Sequence, residues 1–364
     1  MEDIKSIGII GGGQLGLMMM DAAINLGLKV NILDPDKTCP ASGKADTFIL
    51  SKFDDRKNIE RLCKISDVVS YEFENIPYEI VEKFSTVYNI PQGAKPLYLS
   101  QHRRREKLAA KESGLNVGAF MSVIDEKTLK SAIEKLGYPC VLKTCQFGYD
   151  GKGQVVLKSD LDLDIARKLV SSAECILESF INFSCEASVI IIKNKNGDHA
   201  IMPIAKNIHK NNILFKSIVP SGLDEKIEDD MRAQAKKFVD YLGIVGILAI
   251  EFFICSDGVY FNEMAPRPHN SGHYSIEGTK ASQFEQAVRA ICGLPFGQSK
   301  LLQPTVMVNI LGQDMIKAKA LKCSSATVHL YGKKDAKHNR KMGHITFIGD
   351  KIEDVLIDSN LFLK

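Results

Sequence analysis

Over residues 1–96, short apolar runs alternate with stretches whose apolar positions recur at helical spacing, as in a doubly wound α/β unit. Ile4–Ile10 reads as a strand, Gln14–Leu26 as a helix closed by Gly27, and Lys29–Asp34 as a second strand. Thr47–Leu50 is a short third strand, Asn58–Ile65 a helix and Val68–Tyr71 another strand. The stretch "IPQGAKP" (Ile90–Pro96) carries two prolines and a glycine and marks a boundary. Helical patterns follow over Leu97–Ser113 and Glu126–Leu136. From Pro139 to Pro266 the period shortens to that of strands: Val141–Thr144, Gln154–Leu157, Cys175–Ser179, Glu186–Lys193, Ile213–Val219, Gly246–Cys255 and Val259–Met264. Helical stretches interrupt them at Asp162–Ser171 and Asp224–Leu242, giving an α+β region. A helix over Ala281–Cys292 precedes a second boundary, "GLPFGQSK", and a tail with strand-like runs at Thr305–Leu311, Ala326–Leu330 and His344–Ile348.

Composition narrows this picture without redirecting it. The 364 residues are 45% hydrophobic and 25% charged, with a net charge of +3. That balance is ordinary for a globular protein and demands no nucleic acid. No apolar run reaches the ~18 residues of a membrane span, so no membrane partner is expected. Nine scattered cysteines lack a C-x-x-C pair, and no secretory leader is read ahead of them, which points to reduced thiols in a cytoplasmic setting. The basic run His102–Lys107 reads first as a solvated helix face.

Five stretches carry chemistry. Gly11, Gly13 and Gly16 follow an apolar strand, and Asp34 closes the next one, the outline of a dinucleotide fingerprint. Glu72 and Glu74 follow Val68–Tyr71, where an open α/β sheet binds ligands, and read equally as ligand groups or loop acids. In "VLKTCQFGYDGKGQ" a strand delivers Lys143, and a loop with Gly148, Gly151 and Gly153 follows, suited to close approach of backbone N–H groups to phosphate. In "LAIEFFICSDGVYFNEMAPRPHNSGH", Ser256-Asp257-Gly258 reads as a three-residue hairpin turn. Cys255 then faces Val259, and counting back sets Glu251 opposite Glu263. Like charges directly opposite one another destabilise a hairpin, and a divalent cation with hard oxygen ligands, Mg²⁺, removes the repulsion. Asn262 points to the other face by alternation, unless the strand twists at its end. The polar loop after it, with Arg267, His269 and Asn270, suits an anionic substrate. Glu178 and Glu186, at strand edges, could accept from an adenine amine or a ribose hydroxyl, a weak signal taken alone.

These features together resemble the ATP-grasp superfamily: a lysine on a strand, a Gly-rich strand–strand loop, a strand-edge glutamate, and Glu…Asn-Glu on a late hairpin. More narrowly, "GGGQLG", "YEFENIP", "GYDGKGQ", "INFSCEAS", "NEMAPRPHNSGH" and "RKMGHI" resemble the 5-(carboxyamino)imidazole ribonucleotide synthase family of purine biosynthesis, from about Ile7 to Gly349. The resemblance implies an ATP-grasp fold with a Rossmann-like (pre-ATP-grasp) N-terminal domain, 1–96, an ATP-grasp domain, 97–295, and a small C-terminal β-rich domain, 296–364. It implies an ATP-dependent carbon–nitrogen ligase. ATP, bicarbonate and 5-aminoimidazole ribonucleotide would give the N-carboxylated ribonucleotide, ADP and phosphate through carboxyphosphate. A homodimer is expected from the resemblance alone.

By the same match, ATP is expected at Arg103, Lys143, Gly148, Tyr149, Asp150, Gly151, Lys152, Gly153, Gln154, Glu178, Ser179, Phe180, Ile181, Glu186, His209, Asn262 and Glu263. Arg103 alone is thereby promoted out of the basic run. Magnesium is expected at Glu251 and Glu263, as the hairpin count proposes independently. Tyr149, Asp150, Lys152 and Glu72 are expected to face the ribonucleotide, with Gln14 as a further polar contact and Lys333 and Arg340 for its phosphate. Arg267, His269 and Asn270 are expected to hold bicarbonate and, with Asp150 and Lys152, to form the catalytic set. The Gly148–Gln154 loop is the expected lid. Three positions depart from the family pattern: Phe147 replaces a frequent glycine, His102 a common aspartate and Leu17 a usual basic residue. Against the ligase stand an NAD-linked oxidoreductase, resting on the opening fingerprint, and a catalytically silent nucleotide-binding protein on the same fold. On the first reading the glycine turn lines the ribonucleotide pocket, and Asp34 is a plain strand-end acid.

Overall fold

The computed structural model describes residues 4–146, 148 and 153–362. The first sheet is parallel. Its strands β1 (Ser6–Ile10), β2 (Lys29–Asp34), β3 (Thr47–Leu50) and β4 (Val68–Tyr71) lie in the order β3-β2-β1-β4. The order reverses direction at β1, so the loops after β1 and β4 flank the crevice where such sheets bind ligands. The strands are largely apolar because helices cover both faces.

The second sheet is antiparallel: β5 (Phe120–Val123), β6 (Cys140–Thr144), β7 (Gln154–Leu157) and β8 (Cys175–Ser179), ordered β5-β8-β6-β7. The third holds β9 (Cys185–Lys193), β10 (His199–Ile201), β11 (Ala205–Lys210), β12 (Ile213–Val219), β13 (Gly246–Cys255), β14 (Gly258–Ala265), β15 (Thr305–Leu311), β16 (Ala326–Leu330) and β17 (Lys341–Ile348). Its order is β14-β13-β9-β11-β12-β15-β17-β16, with β10 added on β9. Pairing of β12 with β15 carries one hydrogen-bonded surface from the central region into the tail.

Strands β9 and β13 are apolar on both faces because each face has a helix to meet. Val189, Ile191, Leu248 and Ile250 pack with Met231, Ala235 and Phe238 of the helix Glu225–Leu242. On the other face Ile190, Ile192 and Ile247 meet Ala287 and Ala290 of the helix Gln283–Ile291. That second helix also packs Phe284, Val288 and Ile291 against Met19, Met20 and Ala23 of Gln14–Asn25, so it joins the first sheet to the third.

Most apolar runs fold as their period predicts. The expected helix over Leu97–Ser113 is instead two, Lys95–Ser100 and Arg103–Glu112. His102 between them is extended, and the Gln101 side chain donates to the carbonyls of Glu74 and Ile76 at 2.7 and 2.6 Å. The helices Tyr78–Ser85 and Ile352–Leu361 and the strands β5, β10 and β11 went unread.

Candidate active site

The glycine turn after β1 is built for close approach. Gly11 sits at φ +105°, and a Cβ on Gly16 would lie 2.4 Å from the Gly11 carbonyl oxygen. The N–H groups of Gly11, Gly12 and Gly13 are already taken. Gly11 N–H donates to the Leu33 carbonyl, Gly12 N–H to Asp34 Oδ2 at 2.7 Å, and Gly13 N–H to Glu72 Oε1 at 2.9 Å. Asp34 is thus more than a plain strand-end acid, and its second oxygen also accepts from Asp36 N–H at 2.7 Å. Two carboxylates occupy the place a dinucleotide phosphate would need, which removes the oxidoreductase reading. Burial pushes the Glu72 carboxyl up to about 8. Gln14 opens the helix beside it, half-buried.

The hairpin brings Glu251 opposite Glu263 by a route the sequence count did not contain. Its turn has two residues, Ser256 and Asp257, and Cys255 pairs with Gly258 rather than Val259. Phe252 therefore pairs with Phe261, and a bulge at Asn262 restores Glu251 to Glu263. The bulge also breaks the strict alternation expected for Asn262. Burial and the facing Glu263 raise the Glu251 carboxyl to about 7. Burial would raise Glu263 as well, yet the Arg103 guanidinium and the Lys143 ammonium hold it down. Arg103 Nη1 lies 3.3 Å from Glu263 Oε2. A facing carboxylate pair, Glu251 buried and Glu263 half-buried, fits a divalent ion with hard oxygen ligands.

Around this pair lies a second layer of charge. Lys143, on β6, sets Nζ 3.0 Å from Glu178 Oε2 at the end of β8, and Lys107 reaches the same oxygen at 3.3 Å. Burial would raise Glu178, but these two lysines bring its carboxyl down to about 2. Glu178 Oε1 is buried without a hydrogen-bond partner among the described residues, an open acceptor in the groove. Ser179 closes β8, exposed Phe180 follows it, and Ile181 packs over Gly118. Glu186 Oε2 lies 2.5 Å from His209 Nδ1. Burial would lower that imidazole, and Glu186 with Glu251 raises it overall.

After β14 the chain turns through "APRPHNSGH". The Arg267 fork grips Glu74, through Nε to one oxygen and through Nη2 to the other at 2.8 Å, while Nη1 donates to the Pro268 carbonyl at 3.1 Å. Three of its N–H donors are thus committed. His269 Nε2 lies 3.4 Å from Glu251 Oε1 and Nδ1 lies 2.8 Å from Ser271 Oγ. Burial, with Arg267 and Lys341 nearby, keeps this imidazole neutral. Asn270 and Asn309 of β15 exchange amide hydrogen bonds at 3.0 and 2.7 Å.

In the tail, Lys333 Nζ donates to the Lys341 carbonyl at 2.9 Å, and Arg340 Nη1 to the Asp335 carbonyl at 3.0 Å. Burial, with Arg340 and Lys341, lowers Lys333 to about 8, and Glu72 of the first sheet acts in the opposite direction. Gly148 lies in irregular chain, the carbonyl of Gly153 (φ +73°) accepts from Thr144 N–H, and Gln154 opens β7. Phe147, Tyr149, Asp150, Gly151 and Lys152 lie outside the described residues, and with them most of the expected lid.

Sequence reasoning missed Lys107, Glu106, Glu74's role as Arg267's partner, and Lys341. The reading that Arg103 alone leaves the solvated face of His102–Lys107 is corrected: His102, Glu106 and Lys107 are buried. Glu106 Oε1 accepts from Met264 N–H at 2.6 Å, and burial beside Glu263 raises it to about 8. The spacing of His102, Glu106 and the Ala109-Ala110 pair marks one inward face, a helical signal obscured by the charges around it.

Three family models match the chain: a ribonucleotide synthetase preATP-grasp domain over 4–101, an ATP-grasp domain over 108–284, and a phosphoribosylaminoimidazole carboxylase C-terminal domain over 305–357. The N5-carboxyaminoimidazole ribonucleotide synthase of Bacillus subtilis (strain 168) is 45% identical over 345 residues, 94% of this chain and 91% of that protein. A crystal structure of the ADP complex of an N5-carboxyaminoimidazole ribonucleotide synthetase superposes with a TM-score of 0.97 at 47% identity, covering 100% of this chain and 98% of the other. The Aspergillus clavatus N5-carboxyaminoimidazole synthase, in complex with ADP and 5-aminoimidazole ribonucleotide, gives a TM-score of 0.93 at 28% identity over 100% and 98% of the two chains.

Proposed function

The chain belongs to the N5-carboxyaminoimidazole ribonucleotide synthase family, and from that premise we propose how its residues divide the reaction. It is an ATP-grasp ligase of purine biosynthesis that converts 5-aminoimidazole ribonucleotide to N5-carboxyaminoimidazole ribonucleotide at the expense of ATP. In our reading bicarbonate is the carboxyl source and carboxyphosphate the intermediate, with ADP and phosphate as products. The ribonucleotide amine captures that carboxyl or the CO₂ it releases. The work is mostly positioning and charge neutralisation.

The observation that carries this reading is the facing pair Glu251 and Glu263, with Arg103, Lys143 and His269 around it. Magnesium held by the two glutamates would neutralise phosphate charge. Arg103 and Lys143 would orient the phosphates, and Glu178 Oε1 would accept a hydrogen bond from the nucleotide. Asn262, Ser179 to Ile181, Glu186 and His209 would complete the ATP site. Arg267, His269 and Asn270 would hold bicarbonate, His269 in its neutral form as a hydrogen-bonding partner. Tyr149, Asp150 and Lys152, on a closing Gly148–Gln154 loop, would shield the labile intermediate from water and meet the ribonucleotide. Gln14, Glu72, Lys333 and Arg340 would bind the rest of that substrate. A cytoplasmic homodimer, divided at 96/97 and 295/296, completes the proposal, and nine unpaired cysteines suit a reducing compartment. Among the described residues, no helix is long and apolar enough to cross a membrane.

The test is ADP release in the presence of MgATP with each co-substrate omitted in turn. Full rate is expected only with both bicarbonate and 5-aminoimidazole ribonucleotide. A rate indifferent to bicarbonate would remove the carboxyl-transfer reading.

A further inference from the structure

At the base of the Gly-rich loop, away from the paired glutamates, three ligating side chains meet. His102, Cys145 and Glu174 each offer one atom, and these atoms lie within 4.8 Å of one another. We propose that His102, Cys145 and Glu174 form a binding site for a borderline-soft divalent transition ion of the zinc class.

Several observations converge on this reading. The His102 side chain is only 9% exposed, yet Nδ1 has no hydrogen-bond partner among the described residues. Its Nε2 lies 3.4 Å from Glu174 Oε2, a spacing that two ligands of one ion can share. His102 stands at the N-cap of Arg103–Glu112, where an oxygen-bearing side chain would normally bond the first N–H groups, and it makes no such bond. With Nε2, the nitrogen that faces Glu174, as the ligand atom, Nδ1 is left for the outer hydrogen bond that metal-bound imidazoles make.

Cys145 is 2% exposed, while Glu174 reaches solvent and provides an entry path. Backbone bonds fix the geometry: Arg103 N–H donates to the Cys145 carbonyl at 2.9 Å, and Cys145 N–H to the Glu174 carbonyl at 2.8 Å. On binding, the Cys145 thiol loses its proton to solvent and a metal–sulfur bond forms. Thiolate and carboxylate together then balance the dipositive ion. One sulfur, one nitrogen and one oxygen donor leave a fourth position for water, an open site rather than a closed structural one. The set discriminates against Mg²⁺, which prefers oxygen alone. An ion here would tie Cys145, one residue before Gln146 and the loop, to the residue preceding Arg103, and so would couple metal occupancy to the phosphate-facing side of the ATP site.

Cobalt is the probe, because thiolate-bound Co²⁺ absorbs intensely in the near-ultraviolet. Full-length protein stripped by chelator should bind one Co²⁺ per chain with that band. Zn²⁺ should displace it stoichiometrically, and excess Mg²⁺ should not. Cys145→Ser should lose the band. Glu174→Gln, at an exposed position that leaves the fold intact, and His102→Asn should each weaken Co²⁺ binding by about tenfold or more. Absence of the band in the parent protein would overturn the proposal. So would a band of equal intensity and affinity in Cys145→Ser and Glu174→Gln, which would assign the ion to another thiol.

Discussion

The glycine turn after β1 and the hairpin β13–β14 each present carboxylates at the end of apolar strands, and they do opposite things with them. At the turn, Asp34 and Glu72 accept from Gly12 and Gly13 N–H groups, so donor and acceptor close on each other. At the hairpin, Glu251 faces another carboxylate, and Arg103 is the only cation in ion-pair contact with Glu263 among the described residues. The turn is a finished piece of architecture; the hairpin is left electrostatically incomplete. A binding motif is therefore better judged by the charges its fold leaves unanswered than by its glycines.

The comparison can be broken most directly with Glu263→Gln. Turnover should fall by about 10²–10³-fold, the scale of losing a preorganised electrostatic contact. The thermal midpoint should change little, because relief of the contact with Glu251 and loss of the Arg103 ion pair act in opposite directions. Near-normal ADP release in that variant would remove the hairpin from the catalytic site. Gly16→Ala addresses the other region: its Cβ meets a backbone oxygen, so urea unfolding should register a loss of about 1–3 kcal/mol. The magnesium requirement of that variant should stay unchanged.

The third expectation concerns pH. With the Glu251 carboxyl at about 7, protons compete with the ion below neutrality, and the magnesium needed for half-maximal rate should rise about tenfold from pH 8 to pH 6. In the metal-free protein the sign is opposite for stability. The folded chain retains a proton that the unfolded chain loses near 4.5, so this group makes stability fall as pH rises from about 4.5 through about 7. Denaturant titrations with and without magnesium would show the two slopes. The smallest effect is expected for Asp34→Asn, a loss of about 1–2 kcal/mol, because the amide keeps one acceptor for the Gly12 and Asp36 N–H groups and loses the other. The parent protein and this variant should both leave NADH fluorescence unchanged.

Strands were the legible part of this fold, since β2, β3, β4, β7, β8, β12, β13, β15 and β16 carry mainly apolar or β-branched runs bounded by polar or turn residues. Strand β11, "AKNIHK", was not legible because its polar side chains serve the site, with His209 on Glu186. The Glu251–Glu263 pairing was reached through two compensating departures: a turn one residue shorter than read, and a bulge that restores the offset. Bulges leave no period in a sequence, so no count could have separated the two routes. Lys107 was hidden for a different reason. Its burial depends on Glu178, more than sixty residues away in the chain, and local pattern contains no information about such a partner.

Assembly during synthesis is constrained by the joining of β12 to β15. When β9 through β14 have left the ribosome, β12 still carries an unpaired edge, and it stays so until the last sixty or so residues emerge. An open edge on an apolar sheet invites pairing with a neighbouring chain. Asn270 likewise waits for Asn309 to arrive. The tail thus ends the interval of exposure, and a chain stopped before Thr305 should accumulate as aggregate rather than as a smaller soluble enzyme.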